Sequence, residues 1–221
     1  MDVVFYERNG SKYVKIEDGN ARFEEMISKT SLNGEYSVAA GCWYINSEDD
    51  DNDGDEIDDS AEAIIFQNEQ IVYRATGIES LYDAEIQDDG RLCVWDDENA
   101  ITIWSKTGTP IKKKFAFDVV DQGMYADYAW ACGDGEDGNL RLSVLLFDQI
   151  RMWTKRFSAD ISSVNAVFMI KDNINYDQSY FIALVEDYDD KTSIIKYGID
   201  GKKQELTQSD IVELKQIFKK R

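Results

Sequence analysis

The residues with the clearest chemical potential are nine carboxylates between Glu48 and Asp59, in the stretch SEDDDNDGDEIDDS. Carboxylate oxygens in such number are the ligands that calcium prefers, and they also make a negative surface that attracts basic groups. The same composition is typical of a mobile spacer. Three hypotheses therefore apply to this stretch: a calcium loop, a mobile spacer, and part of a charged surface.

The calcium hypothesis rests on half of a motif. Oxygen ligands at alternate positions followed by glycine open the EF-hand loop, but that loop needs a bidentate glutamate at its twelfth position. Here the ninth position is Ile57 and the twelfth is Ser60, and we expect strands on both sides of the stretch. The candidate calcium ligands are Asp49, Asp51, Asp53, Asp55 and Asp58. We expect no other cofactor.

The sequence lacks the residue types on which many active sites depend. It contains no histidine, which excludes a histidine general base and histidine metal ligands. Cys42, Cys93 and Cys132 are far apart, odd in number and outside any CxxC motif, which argues against a disulfide framework and against zinc. Catalysis by carboxylates or lysine stays open, but no pair of such residues is marked by its spacing, so we expect no enzyme.

The composition predicts a folded protein with a large negative charge. Apolar residues make up 43% of the 221 residues, while 44 acids against 24 bases give a formal charge of −20. That charge disfavours nucleic acid and anionic membrane as partners and favours a basic protein. The N-terminus lacks a signal pattern, and no apolar stretch approaches the roughly 20 residues of a membrane span. We expect a cytoplasmic protein that is monomeric on its own.

Five segments share one pattern, in which a β-rich run containing an aromatic residue leads through a short turn to a second run. They are VVFYERNGSKYVKI, AIIFQNEQIVYRA, ITIWSKTGTPIKKKFAF, SVLLFDQIRMWTKRF and SIIKYGIDGKKQEL. Alternation and turn residues predict a β-hairpin in each segment. We expect Trp104 and Phe147, the aromatic residues of two of these segments, to be buried at equivalent sites.

Two further strands are predicted before each of the last four hairpins. The repeating unit is thus a four-stranded antiparallel sheet that recurs about every 40 residues. Cys42, Cys93 and Cys132 each fall in the second predicted strand of a unit, with Ala183 at a similar place in the last. A free cysteine in such a strand acts as a small buried residue.

This pattern resembles the WD40-like and quinoprotein-like β-propeller repeats. VWDD at Val94–Asp97 is similar to the WD dipeptide, although the matching Gly-His and the quinoprotein pattern AxDGxxxW are absent. The resemblance implies an all-β, propeller-like array of four to five four-stranded antiparallel blades, and it carries over no functional residue. The predicted domain spans 1–206, with an N-terminal hairpin at 1–18 and repeats at about 26–76, 80–118, 123–159 and 163–206. The alternative is a β-sandwich with accidental periodicity.

The C-terminal segment TQSDIVELKQIFKKR predicts a short amphipathic helix within 207–221. Thr207 is the expected N-cap, and Asp210 lies three residues further on, as in a capping box. Ile211, Leu214 and Phe218 follow at helical spacing, and basic residues at the end suit the helix dipole. We expect the apolar stripe to dock on the β-domain; a partner-binding helix is the alternative.

Acidic segments follow the second strand of each unit, at 48–59, 96–99, 134–137 and 186–190. Alternate turns of an antiparallel meander lie at opposite ends of the strands, so a propeller would gather these segments on one face. The predicted partner-binding residues are Asp96, Asp97, Asp134, Glu136, Asp137, Glu186, Asp187, Asp189 and Asp190. Ordinary solvated loops of an acidic protein are the alternative interpretation.

These patterns favour a non-catalytic interaction protein. It would be an intracellular inhibitor or immunity-type protein that binds a basic partner through one negative face, because negative charge speeds association with such a partner. Two other functions are compatible with the sequence: a small propeller hydrolase that uses a carboxylate pair, and a calcium-binding structural module.

Overall fold

The described strands form four sheets, in each of which neighbours along the chain are also neighbours in the sheet. The computed structural model describes residues 2–8, 11–18, 21–45, 56–97, 99–172 and 174–219. The sheets have six, four, four and four strands, and a single helix follows the last of them in this part of the chain. The predicted all-β class, with repeated four-stranded antiparallel sheets and a C-terminal helix, is confirmed.

The first sheet contains the predicted N-terminal hairpin together with four longer strands. Its strands are β1 (Asp2–Arg8), β2 (Ser11–Asp18), β3 (Ala21–Thr30), β4 (Tyr36–Ile45), β5 (Glu56–Gln67) and β6 (Gln70–Ile78). The hairpin β1–β2 pairs with β3 and therefore extends the first sheet rather than starting a sheet of its own. Strand β5 begins within the predicted acidic turn 48–59, because Glu56 and Ile57 already pair with the end of β4.

The other three sheets have four strands each. The second sheet contains β7 (Asp83–Ile86), β8 (Leu92–Asp97), β9 (Ala100–Trp104) and β10 (Ile111–Lys114). The third sheet contains β11 (Asp121–Met124), β12 (Tyr128–Asp134), β13 (Leu140–Leu146) and β14 (Arg151–Arg156). The fourth sheet contains β15 (Ile161–Ile170), β16 (Tyr180–Asp187), β17 (Thr192–Gly198) and β18 (Lys203–Gln204), with a 3-10 turn at Tyr176–Gln178.

The chain divides into two compact units. The first consists of Met1–Phe115 and Met124–Tyr128, and it holds the first two sheets. The second consists of Ala116–Gly123 and Ala129–Arg221, and it holds the fourth sheet, the helix and most of the third sheet.

The core of the first unit lies between its two sheets. Alternate residues of β5 point to opposite faces, and Ile65 and Ala63 on one face join a buried cluster with Ile86 and Leu92 of the second sheet. A hydrogen-bonded ion pair between Lys29 Nζ and Glu85 Oε1, 3.0 Å apart, joins β3 to β7 beside this cluster.

The opposite face of the first sheet is covered by the N-terminal hairpin. Phe5 of β1 and Phe66 of β5 have ring centroids 5.1 Å apart, although four strand steps of a flat sheet would separate them by about 19 Å. The sheet therefore curls, and the hairpin encloses a second buried cluster that includes Ile16 and Phe23. One tight point of this sheet admits only glycine, since a Cβ on Gly41 would lie 1.9 Å from the carbonyl oxygen of Glu24.

Helix α1 (Gln208–Lys219) begins at the predicted cap. The Thr207 hydroxyl accepts the Asp210 N–H at 3.2 Å, and the Asp210 carboxylate accepts the Thr207 N–H at 2.7 Å, which is the reciprocal pattern of a capping box. Leu214 is buried, whereas the side chain of Phe218 lies outside the described part. The Lys196 ammonium of β17 donates hydrogen bonds to the Asp210 carboxylate, and this ion pair holds the helix against the fourth sheet.

Candidate interaction surface

Four of the predicted partner-binding residues, Glu136, Asp137, Asp189 and Asp190, lie on two turns of the second unit. The first turn, 135–139, joins β12 to β13, and the second turn, 188–191, joins β16 to β17. Both connect the second and third strands of a four-stranded sheet. The other residues predicted in this unit, Asp134, Glu186 and Asp187, occupy the strand ends that lead into these turns.

One contact between the third and fourth sheets lies close to both turns. The Cys132 sulfur in β12 is 4.0 Å from the carbonyl oxygen of Val164 in β15. Val164 pairs with Val185 of β16, two residues before the end of that strand at Asp187. Cys132 itself stands two residues before the end of β12, so the turn-proximal parts of the two sheets are in contact.

A second contact between these sheets lies away from both turns. Trp153 of β14 has its ring centroid 5.8 Å from that of Phe181 and 5.5 Å from that of Tyr197. Phe181 is at the start of β16, and Trp153 pairs with Val144 near the far end of β13. The parts of the two sheets closest to the turns are in contact with each other, and so are the parts farthest from the turns. Turns 135–139 and 188–191 therefore emerge at the same end of the second unit. We call this the acidic end.

On the first turn, Asp137 is already paired within the chain. Its carboxylate lies 3.4 Å from Arg141 Nη2 and 3.3 Å from Arg156 Nε. The N–H of Asn139 and the two guanidinium groups hold the pKa of Asp137 below its usual value. Asp137 therefore organises its turn, and the Arg141 and Arg156 guanidinium groups offset its negative charge toward a partner.

At the end of β16, directly before the second turn, Asp187 also organises its turn. Its Oδ1 accepts the backbone N–H groups of Asp189 and Lys191, at 3.0 and 2.9 Å. Asp190 has a φ of 59°, in the left-handed region that aspartate and asparagine tolerate better than most residues. At the end of β16, Glu186 Oε2 accepts a hydrogen bond from Asn165 Nδ2 at 3.3 Å.

Four exposed carboxylates remain available at the acidic end. They belong to Asp134, Glu136, Asp189 and Asp190. Within the described part of the chain these carboxylates take part in no hydrogen bond or ion pair. They can therefore attract a cationic group without first giving up a partner inside the protein.

The structure adds two residues that the sequence interpretation did not single out. Tyr188 is 75% exposed although it is a large aromatic residue, and it is the first residue of its turn, between Asp187 and Asp189. Its backbone N–H donates to the carbonyl oxygen of Asp160 at 3.3 Å, which places exposed Asp160 of the β14–β15 connection at the acidic end. The tyrosine was visible in the segment EDYDD, but its exposure depends on the turn.

The other predicted partner-binding residues and the predicted calcium ligands lie in strands or outside the described residues. Asp96 and Asp97 form the end of β8, where Asp97 pairs with Ala100, so they belong to a strand rather than to a free turn. Their side chains lie outside the described part. Among the predicted calcium ligands, Asp58 is in β5, and Asp49, Asp51, Asp53 and Asp55 fall outside the described residues. Across the ranges that are described, no group of three or more acidic or cysteine residues is arranged to hold a metal ion.

The cysteines have the burial expected of small residues in inner strands. Cys93 and Cys132 are buried and Cys42 is half-buried, and all three are free thiols. Burial raises the pKa of the Cys93 thiol and raises that of Cys132 to about 11. The thiolate form that a nucleophile needs is therefore scarce at both buried positions near neutral pH.

Helix α1 is too short and too polar to cross a membrane, and the described residues contain no other helix that could.

Comparison with known proteins gives only distant structural likenesses. No protein-family profile and no curated protein matches the sequence. A HIRA fragment aligns with 85% of this chain and 53% of its own length, at 10% identity and a TM-score of 0.41. A puromycin hydrolase aligns with 80% of this chain and 27% of its own, at 12% identity and a TM-score of 0.42.

A third structure, the hydrazine synthase of Kuenenia stuttgartiensis, aligns with 80% of this chain and 55% of its own, at 13% identity and a TM-score of 0.36. The chain thus spans about half or less of the length of each of these structures. The likenesses are too distant to carry an argument about what this chain binds or does.

Proposed function

We propose that this chain is a non-catalytic interaction protein that binds a basic partner protein through the acidic end of its second unit. The observation that carries the proposal is the group of four exposed, unpaired carboxylates on or directly beside two turns that emerge together. Self-repulsion among such groups opposes folding, so their clustering at one end is better explained by a cationic partner than by solubility alone.

The distribution of roles among the acids supports a docking surface rather than a random acidic loop. Asp137 and Asp187 stiffen their turns through hydrogen bonds and ion pairs, while their neighbours Glu136, Asp189 and Asp190 face solvent. Charges on stiff turns fix the orientation of a partner as well as attracting it. Basic side chains near this end offset part of the negative charge; they belong to Arg141, Arg156 and Lys191. The resulting arrangement of positive and negative groups would be one that a specific partner could match.

The finer form of the proposal is an inhibitor or immunity-type protein of the cytoplasm. Its partner would carry a basic surface of the kind that binds phosphate groups, and the acidic end would compete with the nucleic acid for that surface. The free thiols are compatible with a reducing compartment.

Neutralising the four free carboxylates is expected to slow association about tenfold with little change in dissociation, because exposed charges act mainly through steering. The partner is captured from the native cell at low ionic strength, identified by mass spectrometry, and its binding kinetics are measured. The test variant is Asp134→Asn, Glu136→Gln, Asp189→Asn and Asp190→Asn. Asparagine suits the positive φ of residue 190, so the turn should persist.

The matched control removes the same charge from exposed positions elsewhere: Glu35→Gln, Glu79→Gln, Asp148→Asn and Glu205→Gln. It should associate at nearly the wild-type rate. Raising the ionic strength to 0.15 M, where screening acts over about 8 Å, should remove most of the difference. Equal association rates for the two quadruple variants would refute the acidic end as the binding surface.

Tyr188→Ala is expected to change the dissociation rate of the complex rather than its association rate. A tyrosine that is 75% exposed in the free protein can bury a large area in a complex, and such residues often dominate interface energies. The substitution should raise the dissociation rate by about tenfold or more and leave the association rate nearly unchanged. Tyr82→Ala, at an aromatic residue that is 51% exposed in the first unit, is the control. Dissociation that is unchanged by Tyr188→Ala would remove the tyrosine from the interface.

A further inference from the structure

We propose that β10, at the edge of the second sheet, binds an extended acidic segment of a partner protein, which adds to the sheet as a fifth strand. This surface belongs to the first unit and is independent of the acidic end. The proposal rests on charge, on the orientation of the edge strand and on the exposure of one apolar side chain.

The charge around β10 is opposite to that of the chain as a whole. In a protein with 44 acids among 221 residues, the stretch 99–117 contains no acid and four lysines, Lys106, Lys112, Lys113 and Lys114. Lys106 and Lys114 are exposed and Lys113 is half-buried. Within the described ranges, the ammonium groups of these three residues form no ion pair.

The backbone of β10 is oriented to accept a further strand. The second sheet has the order β10-β9-β8-β7, so among the described strands β10 has β9 on one side and is the edge of the sheet on the other. The Phe115 N–H donates to the Asn99 carbonyl at 2.7 Å on the β9 side. Because successive residues of an antiparallel strand turn their backbone groups to opposite sides, the N–H and C=O of Lys114 face outward. An extended peptide pairs with groups of this kind in strand addition.

Lysine on an edge strand also protects proteins against unwanted pairing, and this is the competing explanation. A purely protective edge would not expose a large β-branched residue, yet Ile111 at the start of β10 is 42% exposed. Ile111 and Lys113 share one face of the strand, so a partner strand would meet an apolar contact and an ammonium group side by side. Carboxylates at alternate positions of that strand lie on one face, where they would meet either Lys114 or Lys113 according to the register.

The test uses the full chain and a fluorescently labelled ten-residue peptide of alternating glutamate and threonine, with binding measured by anisotropy at low ionic strength. A second peptide carries N-methyl groups at alternate residues, which removes the strand-pairing donors and keeps the charge. The test variant is Lys106→Gln, Lys113→Gln and Lys114→Gln. The control variant is Lys171→Gln, Lys202→Gln and Lys203→Gln, at exposed residues of the second unit.

We expect the unmodified peptide to bind the wild type and the control variant equally, and to bind the test variant about tenfold more weakly. The N-methylated peptide should bind all of them at least about tenfold more weakly than the unmodified peptide binds the wild type. Equal loss in both variants, or equal binding of the two peptides, would overturn strand addition at β10. Absence of peptide binding to the wild type would overturn the proposal as well, and self-association of the test variant in light scattering would then assign the lysines to edge protection.

Discussion

Asp210→Ala is expected to lower the free energy of unfolding by about 3–5 kcal/mol, because it leaves the Lys196 ammonium buried without its partner. Lys196 Nζ lies 2.9 and 3.0 Å from the two carboxylate oxygens of Asp210, and the side chains are only 12% and 8% exposed. The ammonium also lies 4.1 Å from the ring centroid of Tyr180, which cannot replace the lost negative charge. The same substitution removes the capping box of α1.

The contribution of the Asp210–Lys196 ion pair should also appear in how the free energy of unfolding depends on pH in the acid range. Burial by itself would raise the pKa of Asp210, but the Thr207 N–H, the Lys196 ammonium and the Thr207 hydroxyl lower it to about 2. A group whose pKa is lower in the folded state stabilises the protein above its unfolded pKa, here 3.8. The contribution of Asp210 should therefore be complete above about pH 4 and should be lost as the pH falls toward about 2.

Urea unfolding of the wild type and variants at neutral pH measures the effect of Asp210→Ala. Glu205→Ala, at an exposed acid just before the helix, is the matched control and should change stability by less than about 0.5 kcal/mol. The double variant Lys196→Met with Asp210→Leu should recover much of the loss, since apolar replacement of both partners is often neutral. A loss below about 1 kcal/mol for Asp210→Ala would show that the ion pair does not hold the helix in place.

Phe147→Ala is expected to cost about 3–5 kcal/mol, the range for removing a large side chain from a packed core. Phe147 follows β13 and is 0% exposed, so the vacated volume cannot be filled by solvent-facing groups. Phe147→Leu keeps most of the buried area and should cost less than about 1.5 kcal/mol. Urea unfolding of the two variants gives both values, and similar small losses for both would mean that the site can collapse or hydrate.

The sequence interpretation placed Trp104 and Phe147 at equivalent buried sites, and only half of that is confirmed. Trp104 ends the third strand of the second sheet and Phe147 directly follows the third strand of the third sheet, as the repeat predicts. Phe147 is fully buried, but Trp104 is half-buried at the border of the first unit's core. Equivalent positions in a repeat share strand order, whereas burial depends on what each sheet packs against.

Local sequence determined the elements of this protein. All five predicted hairpins are present as adjacent paired strands, from β1–β2 to β17–β18, because alternation and turn residues act over a few residues. Cys42, Cys93 and Cys132 lie in β4, β8 and β12, which are the second strands of the predicted four-stranded repeats, as expected. The helix cap at Thr207 and Asp210 was predictable for the same reason, since its partners are three residues apart.

Only the tertiary structure decided which carboxylates remain available for a partner. Asp134, Asp137 and Asp187 look alike in the sequence, yet Asp137 is paired with Arg156 from a strand that follows β13, and Asp187 is used by its own turn. The common end of the two acidic turns depends on contacts between separate sheets, such as that of Cys132 with Val164. Charge and exposure at a given residue are set by groups distant in the chain, so spacing along the sequence could not reveal them.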